Sequence, residues 1–475
     1  MNLAAMGESL LLHINNALSS VLFYKISGFD FIALWLVVAA LFFTFTLRFV
    51  SIRLFRHAID VARGKFDKTS EKGEISHFQA LCAAISGTVG LGSIAGISVA
   101  VAVGGPGAVF WVVVAGFFAM SSKYAEVVLS LSYRQIDSAT SKVYGGPFHY
   151  IRHGLADINM PVFGKYLAIV FAIFCMGGAL GGGNMFQSNQ SIKILINTFH
   201  VLEPYKWLLS LAIAVSVFLV LIGSIKRVAK VTNIVTPVKG LLYIGCCLLI
   251  IAVNAAELPA AFASIFREAF SGEAATGGFI GMLAIAFKRA SFANEAGLGS
   301  APITHAAAKT TEPVREGAVA LLEPFFAATI ALMTGLTVVV THAHIGGTLE
   351  DGVLIAARAF ETVSPWFPIL LAINVLIFAY GCILGWSYYG EIAWTYLFGQ
   401  RGIRLYQVLF CTATFFGGIM HFGLVLDFSD LLILGMGVPN LIAVYLLTPR
   451  IIKETESYIA KLKSGAFKKP AKKRK

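Results

Sequence analysis

The chain has 475 residues, of which 57% are hydrophobic and only 13% charged. A soluble protein carries about 25% charged residues, so polar side chains are too few here to coat soluble cores, and lipid is the expected solvent. The net charge of +12 does not point to nucleic acid: ten Lys/Arg and two Glu between Pro449 and Lys475 supply +8 of it, with no basic-aromatic module beside them.

No basic region precedes the first apolar run, so no cleavable leader is expected. Eleven spans are predicted in chain order, near 30–50, 77–103, 106–132, 163–184, 206–224, 234–254, 277–303, 316–341, 366–390, 404–421 and 424–447. Helices are the expected form, because hydrocarbon satisfies no backbone polar group. The segments 185–205, 255–276 and 342–365 read as loops. This divides the chain into an N-terminal helix with its connector (1–76), a first half (77–254), a second half (277–447) and a basic tail (448–475). Arg48 to Lys72, Arg134 to Arg152, Lys226 to Lys239, Lys309 to Arg315, Arg401 with Arg404, and the tail all fall on one side of the alternation. The other connections are poor in Lys and Arg, which predicts an N-terminus outside and a cytoplasmic C-terminus next to anionic lipid. The six cysteines, Cys82, Cys175, Cys246, Cys247, Cys382 and Cys411, lie in apolar runs without metal-site spacing and read as small buried side chains.

Two spans are interrupted in matching places. The second carries Ser86-Gly87-Thr88-Val89-Gly90-Leu91-Gly92-Ser93, and the seventh carries Ser291-Phe292-Ala293-Asn294-Glu295-Ala296-Gly297-Leu298-Gly299-Ser300. Both contain Gly-Leu-Gly-Ser, five predicted spans apart. An odd-numbered repeat inverts across a membrane, and paired interruptions of this kind mark the binding site of a secondary transporter. Unwound backbone at membrane depth must line a cavity. Its N–H groups suit a substrate carboxylate, and its carbonyls suit an ammonium or a metal cation. Close helix packing through small residues competes for one such patch; two matched patches, one with Asn294 and Glu295, favour the cavity.

These segments resemble the alanine or glycine:cation symporter family, also called the sodium:alanine symporters. The resemblance runs from about Gln79 to Gly399. It includes Gly87-Thr88-Val89-Gly90, Gly104-Gly105-Pro106-Gly107-Ala108-Val109-Phe110-Trp111, Ser122-Lys123-Tyr124-Ala125-Glu126 and Tyr144-Gly145-Gly146-Pro147. It continues through Asn184-Met185-Phe186-Gln187, the run Asn294 to Pro302, and Leu384-Gly385-Trp386-Ser387-Tyr388-Tyr389-Gly390-Glu391. The resemblance implies an all-α membrane protein with a LeuT-like five-plus-five inverted repeat and one extra N-terminal helix. It implies a pocket for alanine or glycine drawn from Thr88, Gly90, Gln187, Phe292, Asn294, Gly297 and Trp386, in a multi-pass carrier of the bacterial inner membrane. The Gln187 amide offers both a donor and an acceptor to a zwitterion, and Phe292 and Trp386 would wall off its side-chain end.

The departures fall where a cation would bind. The family usually reads Thr-Val-Gly-Thr-Gly-Asn where this chain has Thr88 to Ser93, so Leu91 replaces a threonine. Its Phe-Ile-Asp-Thr becomes Phe325-Phe326-Ala327-Ala328, and its Ser-Thr-Ile-Leu-Gly-Trp becomes Gly381-Cys382-Ile383-Leu384-Gly385-Trp386. Hard cations need several oxygen ligands. Ser86, Thr88, the Val89 carbonyl and Ser93 remain for one weak site, and sodium coupling is expected to be weakened or lost. A proton would then be the other coupling ion, with Glu295 and Glu323 as candidate carriers and His305 as a weaker one, or coupling would be absent, since facilitative transport or exchange needs no titrating group. Glu295 has a structural alternative, as a partner of Lys288 or Arg289.

An enzyme would need a nucleophile-base pair or a metal cluster, whereas the ten histidines are scattered and His342 with His344 is too little for a metal site. A channel would build its filter from a ring of subunits; pseudo-symmetry within one chain argues for a monomeric carrier. The expected partners are a small amino acid and membrane lipid, with no cofactor beyond the coupling ion.

Overall fold

A backbone in hydrocarbon must satisfy its own hydrogen bonds, and the chain does so with helices. The computed structural model describes residues 19–467 other than 21, 27, 68–70, 137–142, 222–224 and 272–277, with backbone alone at 225–229. Lys68, the Lys226 side chain, the end of the 206–224 span, the start of the 277–303 span and the tail from Lys468 lie outside this description.

Among the described residues, seven helices are long and apolar enough to cross a membrane. They are Gly107–Ser132, Pro161–Thr198, His200–Leu221, Lys230–Val253, Pro313–Val340, Pro368–Phe398 and Phe422–Leu446. His77–Thr88 and Leu91–Gly104 make an eighth as a pair bent by 61°. The apolar helices Phe31–Thr46 and Ile403–Ile419 are shorter, and Gly278–Asn294 ends at the second interruption. Among the described residues, strand is confined to two short hairpins, Lys25–Ile26 with Phe29–Asp30 and Gln135–Ile136 with Val143–Tyr144.

Burial separates the helices into a centre and a rim. The apolar window of Phe422–Leu446 is 78% buried, that of Lys230–Val253 only 39%. The rim helix turns Leu241, Leu248, Leu249 and Val253 outward, an apolar surface that suits acyl chains. Trp386, Tyr124, Tyr150, Phe171 and Phe186 fill the centre.

Three segments expected to be loops are not. The fourth span does not stop at 184 but runs as one helix from Pro161 to Thr198, with a wide π-type turn at Gly181–Met185. Its polar stretch is helical because it is bonded inside the bundle. Asn184 donates to the Phe410 carbonyl, Asn189 to those of Gly417 and Met420, and Ser191 to that of Gln187. The segments 255–276 and 342–365 carry the helices Leu258–Ser271 and Val353–Glu361. The latter is capped from below, since Gln190 Oε1 accepts the Val353 N–H at 2.8 Å.

The basic tail is also ordered into a helix, Thr448–Lys463. It packs back onto the body through Tyr124 to Thr455 at 2.7 Å and His57 Nε2 to the Tyr458 hydroxyl at 2.8 Å. Burial, reinforced by the Arg315 guanidinium, pushes His57 down from 6.5 to about 4. A depressed imidazole is neutral when docked, so protons favour the undocked form. The contact is therefore complete above pH 6.5 and weakens as pH falls toward 4. Limited proteolysis should cut the tail helix faster at about pH 5 than at about pH 7, and H57Q, which keeps a partner for Tyr458, should flatten that dependence. Equal cleavage of the native protein at both pH values would contradict this assignment.

Candidate functional site

The first interruption begins where helix His77–Thr88 stops and ends in a short 3-10 turn, Leu91–Ser93, before Ala95–Gly104 resumes. Gln187 reaches it from the π-type turn of its own helix. Its Oε1 accepts the Leu91 N–H at 3.0 Å, and its Nε2 donates to the Gly182 carbonyl at 2.9 Å. The close approach needs Gly90, where a methyl group would sit 2.8 Å from Cys382 Sγ and 2.9 Å from Gln187 Oε1. Trp386 and Phe292 converge on the same turn: a methyl on Gly183 would run into the Trp386 indole, and one on Gly182 would lie 3.1 Å from the Phe292 ring. Phe186 packs edge-on against Phe292, centroids 5.3 Å apart.

The second interruption runs from Glu295 to Ser300, between helices Gly278–Asn294 and Ala301–His305. Glu295, Gly297 and Gly299 all have positive φ, conformations that glycine adopts without strain. The Glu295 carboxylate accepts from Trp386 Nε1 at 3.1 Å and from Ser300. Lys288 and Arg289 are not its partners; both pair with Asp430. Two distant residues clamp this interruption. Glu126 accepts the Gly299 N–H at 2.9 Å, and Asn440 donates to both Glu126 and the Gly297 carbonyl.

The sequence-derived residues are thus partly gathered. Thr88, Gly90, Gln187, Phe292 and Trp386 surround one buried locus, with Glu295 behind the indole. Asn294 and Gly297 face elsewhere. Asn294 Oδ1 accepts the Ala296 N–H and borders a recess of about 120 Å³ against Leu36 and Trp111. A methyl on Gly297 would meet Leu36. Of the candidate cation groups, Thr88 turns toward Glu323 at 3.4 Å, Ser86 and Ser93 hydroxyls have no partner, and the Val89 carbonyl accepts from Lys239 Nζ at 2.9 Å. Glu323 stands in a buried row, with Lys123 at 3.7 Å and His305 on its other side; Glu316 links His305 to His77.

Several of these residues escaped sequence reasoning. Glu126 sits inside a quoted motif, yet only the fold shows what it holds. Lys239 and Arg315 read as basic residues of connections, but both are 1% exposed. Arg315 pairs with Glu71 at 2.8 Å. An ionisable residue within an apolar run was the available signal, and Lys239 lies inside the helix Ile225–Val253.

The sequence model of the sodium:alanine symporter family matches residues 12–474. The chain belongs to the sodium:alanine symporter family. One member of similar sequence, the sodium/alanine symporter AgcS of Methanococcus maripaludis, is 38% identical over 427 residues, 89% of this chain and 93% of that protein. The probable sodium/glutamine symporter GlnT of Bacillus subtilis is 31% identical over 431 residues, 90% of this chain and 87% of its own. Among solved structures, MhsT in complex with L-phenylalanine superposes with a TM-score of 0.54 at 15% identity, covering 82% of this chain and 93% of MhsT. That last likeness is one of fold. Membership of the sodium:alanine symporter family makes the chain a transmembrane protein of amino-acid transport, in a family of sodium-coupled symporters.

Proposed function

We propose that this chain is a monomeric secondary carrier that brings a small neutral amino acid, alanine or glycine, across the bacterial inner membrane. In this reading eleven segments cross the bilayer, with the N-terminus outside and the C-terminus in the cytoplasm. The halves 77–254 and 277–447 form a LeuT-like inverted five-plus-five repeat behind the N-terminal helix. The alternation of basic connections and the fold likeness to MhsT support this arrangement.

The observation that carries the reading is the convergence of Gln187, Phe292 and Trp386 on the turn Gly181–Met185, against the first interruption. Binding would exchange the Gln187 bonds to Leu91 and Gly182 for bonds to the amino acid. The Leu91 N–H would then meet the carboxylate and the Gly182 carbonyl the ammonium. The two aromatic rings crowd this turn and would oppose a long side chain, which favours alanine over the glutamine in one relative's name. The purified protein in liposomes should take up labelled alanine saturably, with counterflow and with competition by glycine. Counterflow separates a carrier from a channel. Failure to move alanine, glycine, serine and D-alanine under any gradient would overturn the reading.

A further inference from the structure

We propose that the ammonium of Lys239 is the resident cation of the first interruption, standing where a coupling sodium would otherwise sit, so that transport by this chain needs no sodium. The inference rests on the carrier reading above.

Lys239 is 1% exposed and pairs with no carboxylate among the described residues; its Nζ donates to the Val89 carbonyl at 2.9 Å and lies 4.6 Å from the centre of the Phe378 ring. A buried ammonium without a counter-ion is costly. Here it faces the C-terminal end of helix His77–Thr88, whose negative dipole end favours a cation. That is the environment in which interrupted helices hold coupling ions.

The neighbouring groups leave little for a second cation. The Gly87 carbonyl accepts from Cys382 Sγ at 2.9 Å, and the Val89 carbonyl is taken by Lys239. Ser86 Oγ is buried without a partner. Gly381 contributes no side chain, and a methyl there would lie 2.6 Å from Ser86 Oγ and 3.5 Å from Lys239 Nζ. Ser86, Gly381 and Lys239 therefore share one small space. Of the groups named for a weak cation site only the Ser86 and Ser93 hydroxyls stay without a partner, fewer oxygens than a hard cation requires, and an ammonium already present repels any further charge in a low dielectric. Gly381 and Cys382 add no side-chain oxygen to this space. A recess of about 950 Å³, whose lining includes Arg63, Asp67, Val89 and Lys239, borders this point.

The names of the relatives make the opposite prediction, so the test is decisive. Full-length protein in liposomes is assayed for alanine uptake and counterflow at fixed pH, with sodium or choline as the only metal-sized cation. The native protein should transport equally in both. K239R should keep that indifference. K239S, which opens room beside Ser86, should lose about tenfold of its choline rate and regain about threefold or more when sodium is added. A merely structural lysine would lower the rate without creating a sodium response. Saturable sodium stimulation of the native protein, or K239S transporting in choline at the native rate, would overturn the inference while leaving the carrier intact. If the serine variant does not fold, the native comparison of sodium with choline decides alone. Absence of amino-acid transport under all conditions would instead defeat the carrier reading.

Discussion

Replacing Asp430 with alanine should cost the protein on the order of 3–5 kcal/mol, the usual penalty for stripping a buried ion pair of one partner. Asp430 is 1% exposed and Arg289 3%. Its Oδ2 receives Arg289 directly and Lys288 at 3.1 Å, while Arg289 Nε and Nη1 have no other partner. Removing the carboxylate leaves a guanidinium buried and a half-buried ammonium whose remaining ion pair among the described residues is with Asp30, 3.9 Å away. Thermal unfolding in detergent should drop steeply for D430A. Arg289→Met combined with Asp430→Leu should recover more than half of the loss, because apolar replacement of both partners removes the desolvation cost along with the attraction. A loss below about 1 kcal/mol for D430A would mean that water reaches this pair.

Gln187→Leu should lower uptake by about tenfold or more, since the hydrogen bonds its amide would make to the bound amino acid are lost, at about 1–3 kcal/mol. In the empty site the substitution also leaves the Leu91 N–H and the Gly182 carbonyl without their present partner. Gln187→Glu should be intermediate: its carboxylate still accepts from Leu91 but, when ionised, has no proton for Gly182. Uptake per reconstituted protein, with monodisperse elution as the check on folding, reads the effect. A leucine variant that transports at the native rate would place the substrate elsewhere.

Much of the architecture was legible because membranes enforce it. Interruptions announce themselves by Gly and polar residues within apolar runs, and the helix ends at Thr88 and Asn294 fall inside the stretches singled out. What could not be read was pairing over long separations. Asn189 resembles a loop residue until Gly417 is known to face it, 228 positions away. Lys239 looked like a solvent-facing charge because Val89 is 150 residues distant, and Arg315 because Glu71 is 244 distant. The same limit applies to Asn294. Its amide bonds two residues ahead rather than into the pocket, and asparagine at a chain turn commonly does so.

Helix Gly107–Ser132 holds Lys123 and Glu126 on one stripe, three residues apart. Lys123 lies against Glu323, which in turn meets Thr88 at the first interruption; Glu126 grips Gly299 at the second. A single rigid rod thus has a finger on each unwound stretch. Rotating it by even a fraction of a turn would disturb both ends of the locus together, which would gear the two interruptions to each other.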